Sequence, residues 1–286
     1  MKKIKLFLAI IGLCGGLLLS SCDDPATTIT VAASEIPHAN ILRKTVAPLL
    51  KEEGYTLKVT VLDWSKHNDA VAYDEYDANY FQHVPYLNAN NFEGDKELVA
   101  VAKVHYETLC LYASDLNHTT LQDGDTIEIV NDVTNIERAL LLLQSHNILR
   151  INNWCYEDGE GTFKFDIYNP NSCVSFLEGY RNCSLTCIKE AQLCQSLDDY
   201  DFGVIPANTA LTGFGSVNNA TERIVLSENA DPNTVDEYAN IIACKKSNAE
   251  NPKIIALVNA LGNEAVKNYI DNTFKGSVLY HYENLL

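Results

Sequence analysis

Residues 75–87 read Glu-Tyr-Asp-Ala-Asn-Tyr-Phe-Gln-His-Val-Pro-Tyr-Leu and carry five rings, Tyr76, Tyr80, Phe81, His83 and Tyr86, among polar groups. The run follows neither the alternation of a half-buried strand nor the three-to-four spacing of a helix. Rings, an amide and an imidazole around a turn-prone Asp-Ala-Asn and a proline either cover an irregular patch of core or line a pocket. A second centre of chemistry is Arg138. A guanidinium grips a carboxylate through two parallel charge-assisted bonds. Arg138 falls in the first turn of a predicted helix, where the partial positive charge of the helix N-terminus also favours an anion. Asn131, Asp132 or Asn135 could cap that helix. The alternative for Arg138 is a salt bridge on the helix surface.

Other chemistries find little support. There is no His-Glu-x-x-His, no Gly-x-Ser-x-Gly and no phosphate-cradling loop, and Gly213-Phe214-Gly215 lacks the third glycine of a dinucleotide loop. Paired acids such as Asp198-Asp199 are background in so acidic a chain. Beyond Cys22 the cysteines are Cys110, Cys155, Cys173, Cys183, Cys187, Cys194 and Cys244, an odd number, so at least one thiol stays free if disulfides form. Cys183-x3-Cys187-x6-Cys194 is not a zinc spacing, and no histidine lies between Cys155 and His281. Bridges within a local loop and buried thiols both remain open. Missing motifs do not exclude catalysis, but the positive signs of binding are stronger, and the expectation is a protein that is not an enzyme and carries no metal and no cofactor.

The beginning of the chain sets its context. Lys2, Lys3 and Lys5 precede an apolar run from Ile4 to Leu19, then Leu19-Ser20-Ser21-Cys22. A basic start, a short apolar core and small residues before a cut mark a secretory signal over 1–21. The run is short for a bilayer-spanning helix, which needs roughly 20 residues. The formal net charge is −17 at pH 7, and it deepens by three when the signal lysines leave. Such a balance speaks for solubility and against nucleic acid or anionic lipid as a partner.

Elements that could position the chemistry follow from periodicity. Thr30–Ala33, Thr56–Leu62, Leu98–Val104, Thr126–Val130, Phe202–Ile205 and Asn240–Cys244 read as strands. His38–Glu53 reads as a helix ended by Gly54, with Pro48 kinking it or starting its second part. Glu137–Leu149 has a continuous leucine face, Asn251-Pro252 opens a helix over Ile254–Leu261, and Glu264–Phe274 forms another. Strands alternating with helices predict an α/β fold with mostly parallel sheets.

Several separated blocks, in order, carry a resemblance. Leu19-Ser20-Ser21-Cys22 is similar to the lipobox of bacterial lipoproteins. Ile36-Pro37-His38-Ala39-Asn40-Ile41-Leu42, Asp77–Leu87, Leu98–His105, Ile129–Leu140, Ala191-Gln192-Leu193 with Ser196–Asp199, and Tyr238-Ala239-Asn240 resemble blocks of the MetQ/NlpA family of methionine-binding lipoproteins. The resemblance covers roughly the whole mature chain.

It implies a type II periplasmic-binding-protein fold, two α/β lobes whose hinge motion closes a cleft on a ligand. Residues 22–27 would form a tether lipidated at Cys22, 28–110 and 224–286 one lobe, and 111–223 the other. The implied ligand is an amino acid, L-methionine first, delivered to an ABC permease and its ATPase from the cell envelope. Another amino acid, a methionine-containing dipeptide, or a drifted surface interaction protein are the alternatives. Asn135 and Arg138 would hold the ligand backbone, and Asn240 would also bind the ligand. Phe81, His83, Tyr86 and Trp64 would wall the side-chain slot, where a thioether gains from ring edges. Three features depart from the family pattern. Pro206 stands where an Asn is common, with Asn208 as a stand-in; Trp64 replaces a Tyr; and Gly179–Cys187 looks like an extra loop.

Overall fold

A computed structural model describes residues 24–156 and 163–286. The signal and Cys22 lie outside the described residues. Strands run in chain order as β1 Thr28–Ala33, β2 Thr56–Val61, β3 Ala78–His83, β4 Leu98–Glu107, β5 Cys110–Ala113, β6 Thr126–Val130, β7 Leu149–Ile151, β8 Val174–Phe176, β9 Ser184–Ile188, β10 Phe202–Ile205, β11 Ile224–Ser227, β12 Asn240–Lys245 and β13 Val278–Asn284. They build a six-stranded sheet ordered β13-β4-β12-β3-β1-β2 and a five-stranded sheet ordered β11-β5-β10-β6-β9, with β7 and β8 as a separate pair.

The sheets are mixed, not mostly parallel. β1 runs parallel to β2 and β3, and β6 parallel to β9 and β10, whereas β12 is antiparallel to both β3 and β4. A chain that leaves one sheet along β4 and returns along β12 comes back in the opposite direction. That crossing, which periodicity does not encode, sets the antiparallel pairs. β11, expected to begin the return to the first lobe, pairs with β5 in the second sheet. The expected extra loop Gly179–Cys187 holds most of β9, which pairs with β6 from Thr126↔Ser184 to Val130↔Ile188.

Apolar faces drive the packing. Ile254, Leu257, Val258 and Leu261 of the Pro252–Leu261 helix and Val266, Ile270 and Phe274 of the Glu264–Phe274 helix are buried with Ile29, Val31 and Tyr80 of the first sheet. Ile136, Ala139, Leu140 and Leu143 of the Val133–Ser145 helix pack on Ile127, Ile129, Phe202 and Val204 of the second. Each buried side chain of this size contributes roughly 1.5–3 kcal/mol. The predicted helix over His38–Glu53 forms as one continuous run to Glu52, wound more widely at Glu35–Ala39 and Leu42–Val46 and regular over Ala47–Glu52, where Pro48 stands in the first turn. Gly54, at φ +88°, ends it in the left-handed region. Among the described residues no helix is long and apolar enough to cross a membrane.

Both open readings of the cysteines hold in part. Cys155 and Cys173 are disulfide-bonded, while Cys110, Cys183, Cys187, Cys194 and Cys244 are free. Cys194 packs directly on Gly213, the last residue of the Ala207–Gly213 helix, so a Cβ added there would overlap its Cβ and Sγ. Overpacking of this kind forces backbone shifts. Gly213→Ala is therefore expected to cost about 1–3 kcal/mol, read as a lowered urea midpoint with an unchanged slope.

Candidate functional site

The Val133–Ser145 helix is capped by Asp132, whose Oδ1 accepts the Asn135 backbone N–H at 3.0 Å. This cap puts Arg138 one turn deeper than the first-turn position expected. Asn135 and Arg138, three residues apart, share the helix face that looks back toward the first sheet. There they line a cavity of about 30 Å³ with Trp64, Phe81, Gln82, His83, Glu107, Glu190, Pro206, Asn208 and Asn240. Seven of the eight expected ligand residues thus meet in one place: Trp64, Phe81, His83, Asn135, Arg138, Asn208 and Asn240. Tyr86 does not line it. Its ring backs the wall, with its centroid 4.3 Å from that of Trp64 and 5.8 Å from that of Phe81.

The aromatic run that opened the question is a central strand followed by a helix start. Every residue of β3 is buried, so alternation is lost because both faces are covered. Asn79 and Gln82 are tied into a buried amide cluster with Asn68, at 2.7–3.1 Å. His83 ends the strand, and its Nδ1 accepts the Tyr86 N–H at 3.1 Å to cap the Val84–Ala89 helix. That acceptor role leaves the proton on Nε2, which donates to Asn135 Oδ1 at 3.3 Å. Phe81 and His83 therefore face the cavity, whereas Tyr80 belongs to the core.

Arg138 is neither free nor on the surface. Its Nε donates to Glu228 Oε2 at 2.8 Å and its Nη2 donates to Glu228 Oε1 and, at 2.7 Å, to the Glu107 carbonyl. Both side chains are under 10% exposed, at 6% and 8%. The guanidinium also lies 4.6 Å from the Tyr238 ring centroid. The hydrogen bonds of the guanidinium to Glu228 and Glu107 thus run through Nε and Nη2. Asn240 is held likewise, its Oδ1 accepting from His38 Nε2 at 2.9 Å.

Sequence reading missed Glu107. His105 Nε2 donates to its Oε1 at 2.7 Å, Tyr80 O–H donates to His105 Nδ1, and the Asn208 backbone N–H reaches Glu107 Oε2 at 2.9 Å. Burial pushes the Glu107 carboxyl up, against His38, the Asn208 N–H and Arg138. The signal was its place two residues after His105 at the end of a long strand. The cavity therefore offers amide and guanidinium donors beside a carboxylate acceptor. A small zwitterion matches that pattern, with its own carboxylate and ammonium in the complementary places.

Among the described residues, two triads bring metal-type donor atoms within 4.8 Å of one another, His38 with His105 and Glu107, and His118 with Asp125 and Asp201. In the first, the 2.7 Å separation of His105 and Glu107 is that of a hydrogen bond. In the second, the Asp201 Oδ2 is already occupied by the Thr126 N–H and O–H at 2.8 Å.

This architecture, two mixed α/β sheets joined by crossing strands with a polar cavity between them, is that of the two-lobed periplasmic binding proteins. The chain belongs to the NlpA lipoprotein family, which matches residues 29–281. It is 31% identical to the methionine-binding lipoprotein MetQ of Bacillus subtilis, over 98% of each protein. A lipoprotein structure from Ruminococcus gnavus is 35% identical and superposes with a TM-score of 0.76, over 89% of this chain and 99% of that one. A nutrient binding protein from Burkholderia cenocepacia, solved bound to methionine, is 25% identical with a TM-score of 0.73, over 88% of this chain and 99% of that one.

Two expectations follow. Arg138→Ala would strand the buried Glu228 carboxylate and cost about 3–5 kcal/mol of stability, most of it regained in Arg138→Ala with Glu228→Ala, measured by urea unfolding. The second concerns acid. Burial pushes His38 and His67 down to about 4 and His83 and His105 down to about 3, from an ordinary 6.5. The folded state refuses protons that the unfolded chain binds, so their contribution is full above pH 6.5 and is lost as pH falls toward 4. Glu128 and Glu190, pushed up to about 7 from 4.5 by burial, act in the opposite sense between pH 4.5 and 7. Glu107, also pushed up by burial, adds to that opposing sense. With four groups against three, the thermal midpoint is expected to fall modestly as pH drops from 6.5 to 4.5.

Proposed function

We propose that this chain is a membrane-anchored substrate-binding lipoprotein that captures an amino acid, L-methionine, and delivers it to the permease and ATPase of an ABC importer. One observation carries the reading: the convergence in a single cavity of Arg138, Asn135 and Asn240 with the Phe81 and Trp64 rings. The methionine-binding relative from Bacillus subtilis and the methionine-bound structure from Burkholderia cenocepacia support it. In this reading Arg138 Nη1 and the Asn240 amide take the ligand carboxylate, Glu107 takes the ammonium, and Phe81, Trp64 and His83, backed by Tyr86, hold the side chain. Asn208 contributes its backbone N–H as a brace on Glu107 and its side chain to the cavity wall.

Lipidation at Cys22 rests on the Leu-Ser-Ser-Cys sequence, with the protein held at a membrane of the bacterial cell envelope. We place the lobe crossings at Glu107–Cys110 and after Ser227, slightly later than residue 223 on the return, because β11 pairs within the second sheet. Residues 28–107 and 228–286 would then move against 110–227 when the cleft opens.

The test is calorimetric titration of the chain from Asp23 onward, unfolded and refolded to remove ligand. L-Methionine should bind with micromolar or tighter affinity, equivalent to about −8 kcal/mol or better. Arg138→Lys keeps a cation opposite Glu228 but loses the planar fork, and should weaken binding by about tenfold or more. Heat with another amino acid and none with methionine would reassign the ligand; silence with every amino acid would overturn the reading.

A further inference from the structure

The deep cavity does not end at its aromatic wall. A wider cleft of about 340 Å³ adjoins it, lined by Ser34, Ile36, Leu62, Ala191, Gln195 and Thr212 among others. Three residues line both spaces: Trp64, Glu190 and Asn208. A ligand anchored at Arg138 and Asn240 whose side chain points outward must pass them.

Glu190 is the unusual member. It is half-buried, and its Oε1 accepts the Thr209 hydroxyl at 2.6 Å. No Lys, Arg or His lies within ion-pair distance of it among the described residues, and the charges that act on it, Asp132 and Glu107, are both acidic. Arg138, the cation of the cavity, is already matched by Glu228. A zwitterionic amino acid adds no net charge, so an unpaired carboxylate remains after it binds. A neutral thioether packed against Glu190 would strip water from that carboxylate and return nothing. A positive charge in the same place would meet the carboxylate and the Trp64 indole, an aromatic partner suited to cations. Burial and the neighbouring acids push Glu190 up to about 7, the same shortage of positive charge expressed as proton affinity.

We propose that Glu190 and Trp64 form a specificity subsite that reads a positive charge at the end of a short linear side chain. The cleft would then favour an amino acid with a sulfonium or ammonium terminus over a neutral thioether. The proposal rests on the amino-acid reading of the deep cavity and extends it to the class of side chain. Glu190 acts here by charge, so its isosteric amide separates this role from packing.

The experiment is calorimetric titration at pH 8 with two probes of nearly equal shape, L-methionine and S-methyl-L-methionine, into the refolded chain and into Glu190→Gln. S-Methyl-L-methionine should bind the parent chain about tenfold more tightly or better. In Glu190→Gln the sulfonium should weaken and methionine strengthen, bringing the two within about threefold. Methionine binding with no sulfonium preference in the parent, or a preference that survives in Glu190→Gln, would overturn the subsite while leaving the amino-acid reading intact. Silence of the parent chain with both probes would overturn the subsite, and the amino-acid reading falls with it only when every other amino acid is silent too.

Discussion

The buried pair between Arg138 and Glu228 is the constraint on which the rest of the site depends. Taking both charges out of water costs several kcal/mol per ion, which is offset only when geometry is good and the remaining hydrogen-bonding groups are matched. Here they are matched largely by the chain crossings themselves. Glu228 also accepts the Tyr106 hydroxyl at 2.6 Å and the Leu109 N–H at 2.5 Å, while Arg138 donates to the Glu107 carbonyl at 2.7 Å. One ion pair therefore binds the Val133–Ser145 helix to both passages of chain between the sheets. A buried charge cannot move far without losing its partner, so the guanidinium is held where its remaining edge meets the cavity.

A second network, on the opposite wall, follows the same logic with neutral groups. Tyr80, His105 and Glu107 form a hydrogen-bonded line that ends on the backbone N–H of Asn208, from the other side of the cleft. Burial keeps the histidines uncharged, so they serve as directed donors and acceptors that fix the Glu107 carboxylate in place. The site is built of fixed, prepaired polar groups. Such preorganisation reduces the entropy lost when a small ligand is ordered.

Charge is unevenly spread along the path of a ligand. The inner end is balanced by the Arg138–Glu228 pair, whereas the junction at Glu190 is not. Unbalanced charge at a site boundary acts on which ligand is preferred more than on whether the fold forms, since water can still reach the wider cleft. That distinction separates Glu190 from Glu128, a wholly buried carboxylate with Ser196 donating to one oxygen at 2.5 Å, whose cost falls on stability.

Much of the architecture was legible along the chain because helices and half-buried strands leave local periodic marks. Glu264–Phe274 was read to the residue, and the caps at Asn251 and Asp132 sit where short polar side chains announce them. The family resemblance paired Asn135 with Arg138, and their three-residue spacing does return them to one helix face. Other features have no local signature. β3 is buried on both sides, so its pattern is silent, and the antiparallel β12 depends on a crossing more than a hundred residues long. The partner of Arg138 lies 90 residues away and that of Asn240 202 residues away. Residue types and spacing determined which groups could act. Which of them are already matched, and that Glu190 meets no cation among the described residues, only the tertiary structure decided, because hydrogen bonds and charges are matched through space and not along the chain.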